Sequence, residues 1–243
     1  MRVDILGITV DTYSMQETAE QIRQAVEGQI QMRIVTANPE MISASERNVR
    51  LKKLINSADI VTADGIGVVW AARRLGTPRL ERVTGIDLVQ ALFPIAHVGK
   101  WRIFFLGGKP GVAEQAAKQV VLKNHGITWA AMHGYFSSEE EPGVLEKIRY
   151  FQPDVLLVGL GAPRQEYWLA EHPGLASVSM GVGGSFDALA GIVVRAPKRI
   201  QDLHVEWLYR LWKEPSRWKR QVLLPCFVTK VLWQSFRSRR KTS

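Results

Sequence analysis

Residues 155–166 read Val155-Leu156-Leu157-Val158-Gly159-Leu160-Gly161-Ala162-Pro163-Arg164-Gln165-Glu166. Four branched apolar residues in a row do not alternate with polar ones, so the run suits a strand buried on both faces. The glycines then permit a tight turn, and the polar residues beyond Pro163 begin a helical stretch. This order recurs along the chain. Apolar runs at 32–35, 60–62, 102–106, 128–132, 155–160 and 178–182 alternate with helical stretches. The pattern predicts an α/β fold with a mostly parallel sheet flanked by helices. Ahead of it, residues 2–10 alternate around Gly7 and predict a short hairpin. Ser14-Met15-Gln16-Glu17 is a capping box that opens a helix to about Val26. The acidic segment 137–141 with Pro142 reads as a loop entering a helix, and 112–121 as the helix behind the third run.

With 243 residues, 46% of them hydrophobic and 23% charged, the chain can bury a sizeable core and is not disordered. Its formal charge is +9, but the excess is local. Residues 1–194 hold 19 Lys/Arg against 20 Asp/Glu, whereas residues 195–243 hold 13 against three. That last fifth also carries four of the eight Trp residues: Trp207, Trp212, Trp218 and Trp233. Cations interleaved with indoles suit an acidic membrane interface, and also suit nucleic acid. The single cysteine, Cys226, excludes an internal disulfide and a cysteine-ligated zinc site. Met1-Arg2-Val3-Asp4-Ile5-Leu6-Gly7 has no cationic stretch followed by an apolar run, so no secretory leader is expected. No window reaches 18 apolar residues, so no spanning helix is expected.

In a parallel sheet the segments that follow the strands share one edge, where ligands of open α/β sheets bind. Here they supply Thr36, Asn38 and Glu40; Asp64-Gly65-Ile66-Gly67; Gly107-Gly108-Lys109-Pro110-Gly111; His133-Gly134-Tyr135; Gly161 to Glu166; and Gly183-Gly184-Ser185-Phe186-Asp187. Glycine lets backbone N–H groups approach a phosphate, and a following helix N-terminus adds a favourable dipole. A phosphate-bearing ligand is therefore expected. None of these loops is a P-loop or a G-x-G-x-x-G fingerprint, which argues against a nicotinamide-dependent oxidoreductase. Asp64 has the position of a general base, of a ribose ligand or of a helix cap, and Asp187 has the same ambiguity. Arg82 suits a phosphate or a surface ion pair, and Arg164 and Gln165 suit phosphate or sugar hydroxyls. No D-x-D sequence and no His or Cys cluster has metal-ligand spacing, so no metal site is expected. His97, His125 and His172 read as surface or loop residues. In the tail Arg210, Lys213, Arg217 and Arg220 share one helical face beside Trp207 and Trp218, with Pro215 breaking the helix near Glu214.

Taken together, Thr36-Ala37-Asn38-Pro39-Glu40, Ala63-Asp64-Gly65-Ile66-Gly67, Glu81-Arg82-Val83-Thr84-Gly85, Gly134-Tyr135-Phe136, Gly159 to Glu166, and 181–187 resemble the WecG/TagA/CpsF glycosyltransferases. Glu206-Trp207-Leu208-Tyr209-Arg210 and Glu214-Pro215 match that family's C-terminal appendage. The resemblance covers essentially the whole chain and is nearest to the TagA branch. It implies a Rossmann-like catalytic domain, residues 1–195, and a basic, Trp-rich membrane-binding appendage, residues 196–243, that completes the site. It implies an inverting transferase, with no metal and no cofactor, that moves N-acetylmannosamine from UDP-ManNAc to undecaprenyl-diphosphate-GlcNAc for a teichoic-acid-type linkage unit. UDP-ManNAcA or another UDP-hexose is the alternative donor. Outside the class, the alternative is a basic-tailed nucleotide- or nucleic-acid-binding protein.

Carried over by residue, the resemblance makes Asp64 the catalytic base and matches Arg82 to a pocket position in the catalytic set. Thr36, Asn38 and Gln165 match pocket positions, and Tyr135 and Asp187 fall in matching motifs near the nucleotide; the strand-end loops add Gly65, Gly107, Gly108, Gly161, Arg164 and Gly184 to the expected substrate site. Arg210, Lys213, Arg217 and Arg220 would meet the lipid diphosphate. The implied partners are a UDP-sugar, a polyprenyl-diphosphate-linked acceptor and an anionic membrane surface. A homo-oligomer is left open, and no nucleic acid is expected. The implied location is the cytoplasm, peripheral on the inner face of the cell membrane.

Overall fold

The computed structural model describes residues 1–193, Pro197 and residues 223–242. Six strands form one all-parallel sheet: β3 (Met32–Ala37), β4 (Ile60–Ala63), β5 (Arg102–Gly107), β6 (Thr128–Met132), β7 (Val155–Gly159) and β8 (Val178–Gly181). They are the six apolar runs of the sequence. β3 and β4 extend past the expected runs because Thr36, Ala37 and Ala63 continue the ladder, while β7 and β8 stop one residue earlier. The strand order is β4-β3-β8-β7-β5-β6. The chain thus steps outward from β3 to β4, then crosses to β5 and steps outward the other way to β6. The crevice between two such opposed steps is where ligands of open sheets bind. Here it lies over β8 and β7.

Alternation along the strands divides the core. Ile103, Phe105, Val155 and Leu157 face one side, with α1 (Met15–Glu27), α5 (Gly85–Gly99) and α6 (Val112–Val121). Phe104, Leu106, Leu156 and Val158 face the other, with α7 (Glu141–Phe151) and α8 (Arg164–Glu171). Beyond β3 and β4 that second side is covered by α2 (Pro39–Arg47), α3 (Val49–Asn56) and α4 (Ile66–Arg74). The short α9 (Ser185–Leu189) follows β8. At α1 the capping box is complete: Glu17 N–H donates to Ser14 Oγ, and Ser14 N–H donates to the Glu17 carboxylate.

The hairpin β1 (Arg2–Ile5) and β2 (Ile8–Asp11) forms its own antiparallel sheet. It turns through Leu6 and Gly7, both at positive φ, the backbone of the tightest hairpins. The buried Asp11 carboxylate accepts the N–H of Val61 at 2.9 Å and Arg2 Nε at 2.7 Å. An amide on the outer strand β4 is thereby satisfied, which blunts that edge.

A last helix, α10 (Leu223–Thr242), docks on the α2–α4 side. Phe227, Val231 and Ser235, one stripe at i, i+4 and i+8, are buried. Phe227 and Val231 join the core cluster of α2 and α4. Gln234 grips the hairpin turn, donating to Asp4 Oδ1 and accepting Leu6 N–H. Lys230 pairs with Glu46 at 2.7 Å. The end of the tail is therefore seated on the body, on the helices that follow Asn38 and Asp64. Trp207, Arg210, Lys213, Trp212, Arg217, Trp218 and Arg220, and the helix break expected at Pro215, lie outside the described residues.

Candidate active site

The carboxyl edge of the sheet gathers the expected residues of the described body into three neighbouring groups. At the β3–β4 end, Thr36 is the penultimate residue of β3 and is buried. Its hydroxyl lies 3.4 Å from where a Cβ on Gly85 would sit, so it faces the first turn of α5. Asn38 caps α2, accepting Met41 N–H at 2.8 Å through Oδ1.

Asp64 continues the ladder, its N–H donating to Ala37 O at 2.8 Å. The cap position of α4 belongs to Gly65, at φ 100°, and α4 has no side-chain cap bond. Asp64 therefore stands one residue before the cap position of α4. Gly67 passes so close to Pro39 that a Cβ would sit 2.7 Å from its ring, which packs the turn after β4 against the turn after β3.

The segment before α5 brings the arginine to this place. Val83 N–H donates to Ala63 O at 3.0 Å, and Thr62 Oγ1 donates to Val83 O at 3.0 Å. These bonds lay the loop beside the end of β4 and put Arg82 next to Asp64 along the edge. Arg82 Nη2 lies 3.9 Å from Asp87 Oδ2, which also accepts the Thr84 hydroxyl at 2.6 Å. Thr84 caps α5 in turn, accepting Asp87 N–H. The Arg82 side chain, 19% exposed, is thus held near a helix N-terminus, a place that favours an anion.

Over β8 and β7 stand Gln165, Gly161, Gly184 and Asp187. Gln165 is buried and accepts Gly183 N–H at 3.0 Å. Gly161 (φ 79°) and Gly183 (φ 52°) have open space where a side chain would be, so a ligand can approach their backbone closely. Gly184 is the cap of α9 and is exposed; Asp187 sits in its first turn, half-buried, and makes no side-chain cap bond. Gly85 joins this group to the first, because it lies against both Thr36 and the backbone of Val182.

The third group is built differently. Gly107 is directly opposite Gly159 in register, and a Cβ there would stand 2.4 Å from Gly159 O. Gly108 N–H donates to the same oxygen at 3.1 Å, and Gly134 N–H to Gly108 O at 2.9 Å. These glycines let three strand ends pack backbone to backbone. The amide of Gly108, expected to meet phosphate, is engaged by the sheet itself. Tyr135 is 65% exposed beside them. Arg164 reaches back from α8 to Gly134 O and lies over the Phe136 ring.

One residue at this edge had not been singled out from the sequence. Glu166 is buried, and burial pushes its carboxyl above the usual range, against the lowering effects of Gln165 and of the Arg33 charge. The signal was present in the pattern: Gln165, Trp168 and Leu169 share the buried face of α8 at i, i+3 and i+4, so the helix starts with polar groups inside the core. Of the histidines, His97 is exposed, its Nδ1 accepting Gly126 N–H, and His172 ends α8 stacked on Trp168. Among the described residues no cluster of three or more His, Cys, Asp or Glu could hold a metal ion. Among them also, no helix is long and apolar enough to cross a membrane.

Residues 3–241 match the Glycosyl transferase WecG/TagA/CpsF family. A protein of Staphylococcus aureus (strain MW2), an N-acetylglucosaminyldiphosphoundecaprenol N-acetyl-beta-D-mannosaminyltransferase, is 37% identical over 234 residues, 95% of this chain and 92% of its own. The protein of that name from strain NCTC 8325 / PS 47 is 38% identical over 237 residues, with the same coverage. The chain belongs to the WecG/TagA/CpsF family and is a glycosyltransferase.

Proposed function

We propose that this family member transfers N-acetylmannosamine from UDP-ManNAc to undecaprenyl-diphosphate-GlcNAc, with inversion and without a metal, in the making of a teichoic-acid-type linkage unit. The observation that carries the reading is its likeness, across 95% of the chain, to transferases whose names state that acceptor and that sugar. The edge geometry supports it. Asp64 takes the proton from the acceptor hydroxyl as that oxygen attacks the anomeric carbon, and UDP leaves from the opposite face. Inversion follows from a single displacement. Charge builds on the departing diphosphate, and its neutralisation falls to fixed donors: Arg82 at the start of α5, and backbone N–H groups near Gly161 and Gly183. Thr36, Asn38 and Gln165 line the floor of the same crevice; Tyr135 and Asp187 stand toward the nucleotide. Arg210, Lys213, Arg217 and Arg220 are assigned to the lipid diphosphate from the sequence.

The acceptor implies work at a membrane, and α10 supports a peripheral placement on its cytoplasmic face. Beside the stripe that packs on the body, Val228, Leu232, Trp233 and Phe236 are exposed. Arg237 lies 3.5 Å over the Trp233 ring and Arg240 4.5 Å over that of Phe236. Apolar rings carrying cations suit an anionic lipid interface.

The test is a donor panel. UDP-ManNAc, UDP-ManNAcA and UDP-GlcNAc are each offered with undecaprenyl-diphosphate-GlcNAc, with and without EDTA, and UDP is measured. UDP-ManNAc should be turned over fastest and EDTA should have no effect. Preference for UDP-ManNAcA would move the enzyme to the other donor class, and loss of turnover in EDTA would refute the metal-free mechanism.

A further inference from the structure

The geometry points to Glu166 as a positioning residue that fixes the Gln165 amide and, through it, the turn after β8 on which the donor site is built. Gln165 Nε2 donates to Glu166 Oε1 at 2.8 Å, and Gln165 Oε1 accepts Gly183 N–H at 3.0 Å. Both side chains are 3% exposed. An amide has nearly the same shape when its oxygen and nitrogen are exchanged, so packing alone does not orient it. Here the two partners do. A flipped Gln165 would set its NH2 group against the Gly183 N–H and its oxygen against the Glu166 carboxylate, like against like on both sides. Glu166 therefore selects the one orientation in which Gly183 is held.

The constraint matters because the Gly183 N–H has no other acceptor among the described residues, whereas its neighbours are held by Val182 N–H donating to Val158 O at 2.8 Å and the Ser185 hydroxyl donating to Val182 O at 2.6 Å. Gly183 sits at φ 52° with nothing within 4 Å of a Cβ position, and the exposed Gly184 follows it. On the other side Gly181 has no room: a Cβ there would lie 2.6 Å from Gln165 Nε2. The glutamine is thus wedged under the end of β8 and pulls on the residue two places on. Glu166 is only partly satisfied where it stands. Its second oxygen is buried without a hydrogen-bond partner, among the described residues, and Arg33 Nη1 is likewise buried and unpartnered. Burying a carboxylate in this way costs stability, and the Arg33 charge offsets part of that cost.

Two variants separate positioning from packing. Glu166→Leu keeps the volume and removes the acceptor; Glu166→Gln keeps an acceptor. For each, the melting temperature, the exchange rate of the Gly183 amide, and kcat and KM for the donor are measured. The Leu protein should remain folded, exchange Gly183 about tenfold faster or more, and lose kcat by about tenfold or more, as expected of a misplaced site. The Gln protein should stay within about threefold of wild type on both counts. A Leu variant with wild-type Gly183 protection or wild-type kcat would overturn the proposal. So would a Gln variant as impaired as the Leu one. The kinetic arm rests on the function proposed above; the exchange arm does not, so a protein with no transferase activity would still decide whether Glu166 holds the turn.

Discussion

The two halves of the sheet's carboxyl edge use opposite means. The β3–β4 half is built from side chains: Thr36, Asn38, Asp64 and Arg82, each placed by a cap or a ladder bond. The β5–β7 half is built from backbone: Gly107, Gly108, Gly134 and Gly159, packed so closely that side chains have no room. On the function proposed above, a ligand spanning the crevice meets charge and acid–base chemistry at one end and a rigid wall at the other. The difference teaches that changes in the first half should alter rate with little effect on folding, and changes in the second should do the reverse.

The largest expected effect is at Asp64. Asp64→Asn should lower kcat by about 10²–10⁴-fold, the range for loss of a general base, with the melting temperature within a few degrees of wild type. Turnover that survives would place the base elsewhere and break the comparison. Next is Gly107→Ala, which forces a Cβ onto Gly159 O from φ 147°. It should destabilise by on the order of 3 kcal/mol or more, as seen by thermal unfolding. An equally stable Ala protein would show that the wall is not rigid.

Phe227→Ala sharpens the comparison from outside the edge, since Phe227 packs in the core cluster that also holds residues of α2 and α4. A loss of about 3–5 kcal/mol should lower the melting temperature by roughly 10 °C. A surface-like response would mean that α10 is not docked in solution. Smallest is Trp233→Ala with Arg237→Ala. Binding to anionic vesicles should weaken by about threefold to tenfold, with turnover of a short-chain soluble acceptor unchanged. Vesicle binding that does not change would assign the exposed rings another purpose.

The sheet was legible because a strand buried on both faces must be largely apolar: 155–158 is apolar throughout, and each of the other five runs carries a single polar residue, Arg33, Thr62, Arg102, Thr128 or Ser179. The hairpin, the α1 capping box and the boundaries of α6 were legible because their signals are local. The edge was legible as a list of residues and not as a mechanism. Spacing left Asp64 between base, ribose ligand and cap; the structure puts Gly65, not Asp64, in the cap position of α4. Spacing also made Gly107 and Gly108 look like a phosphate loop, because glycine that admits a ligand and glycine that admits a neighbouring strand are the same letter. The docking of α10 was hidden for a different reason. Phe227 and Val231 form a stripe that the basic residues and tryptophans around it conceal, and the surface receiving it comes from residues about 160 to 230 positions away.

The central claim is that this edge joins a UDP-sugar to a lipid-linked sugar in one displacement. The most direct measurement is release of UDP from UDP-ManNAc by the full chain, with and without undecaprenyl-diphosphate-GlcNAc, together with the anomeric configuration of the product. The account predicts UDP release that requires the acceptor and a product of inverted configuration. Equal release without acceptor, or a product that retains the donor's configuration, would contradict it.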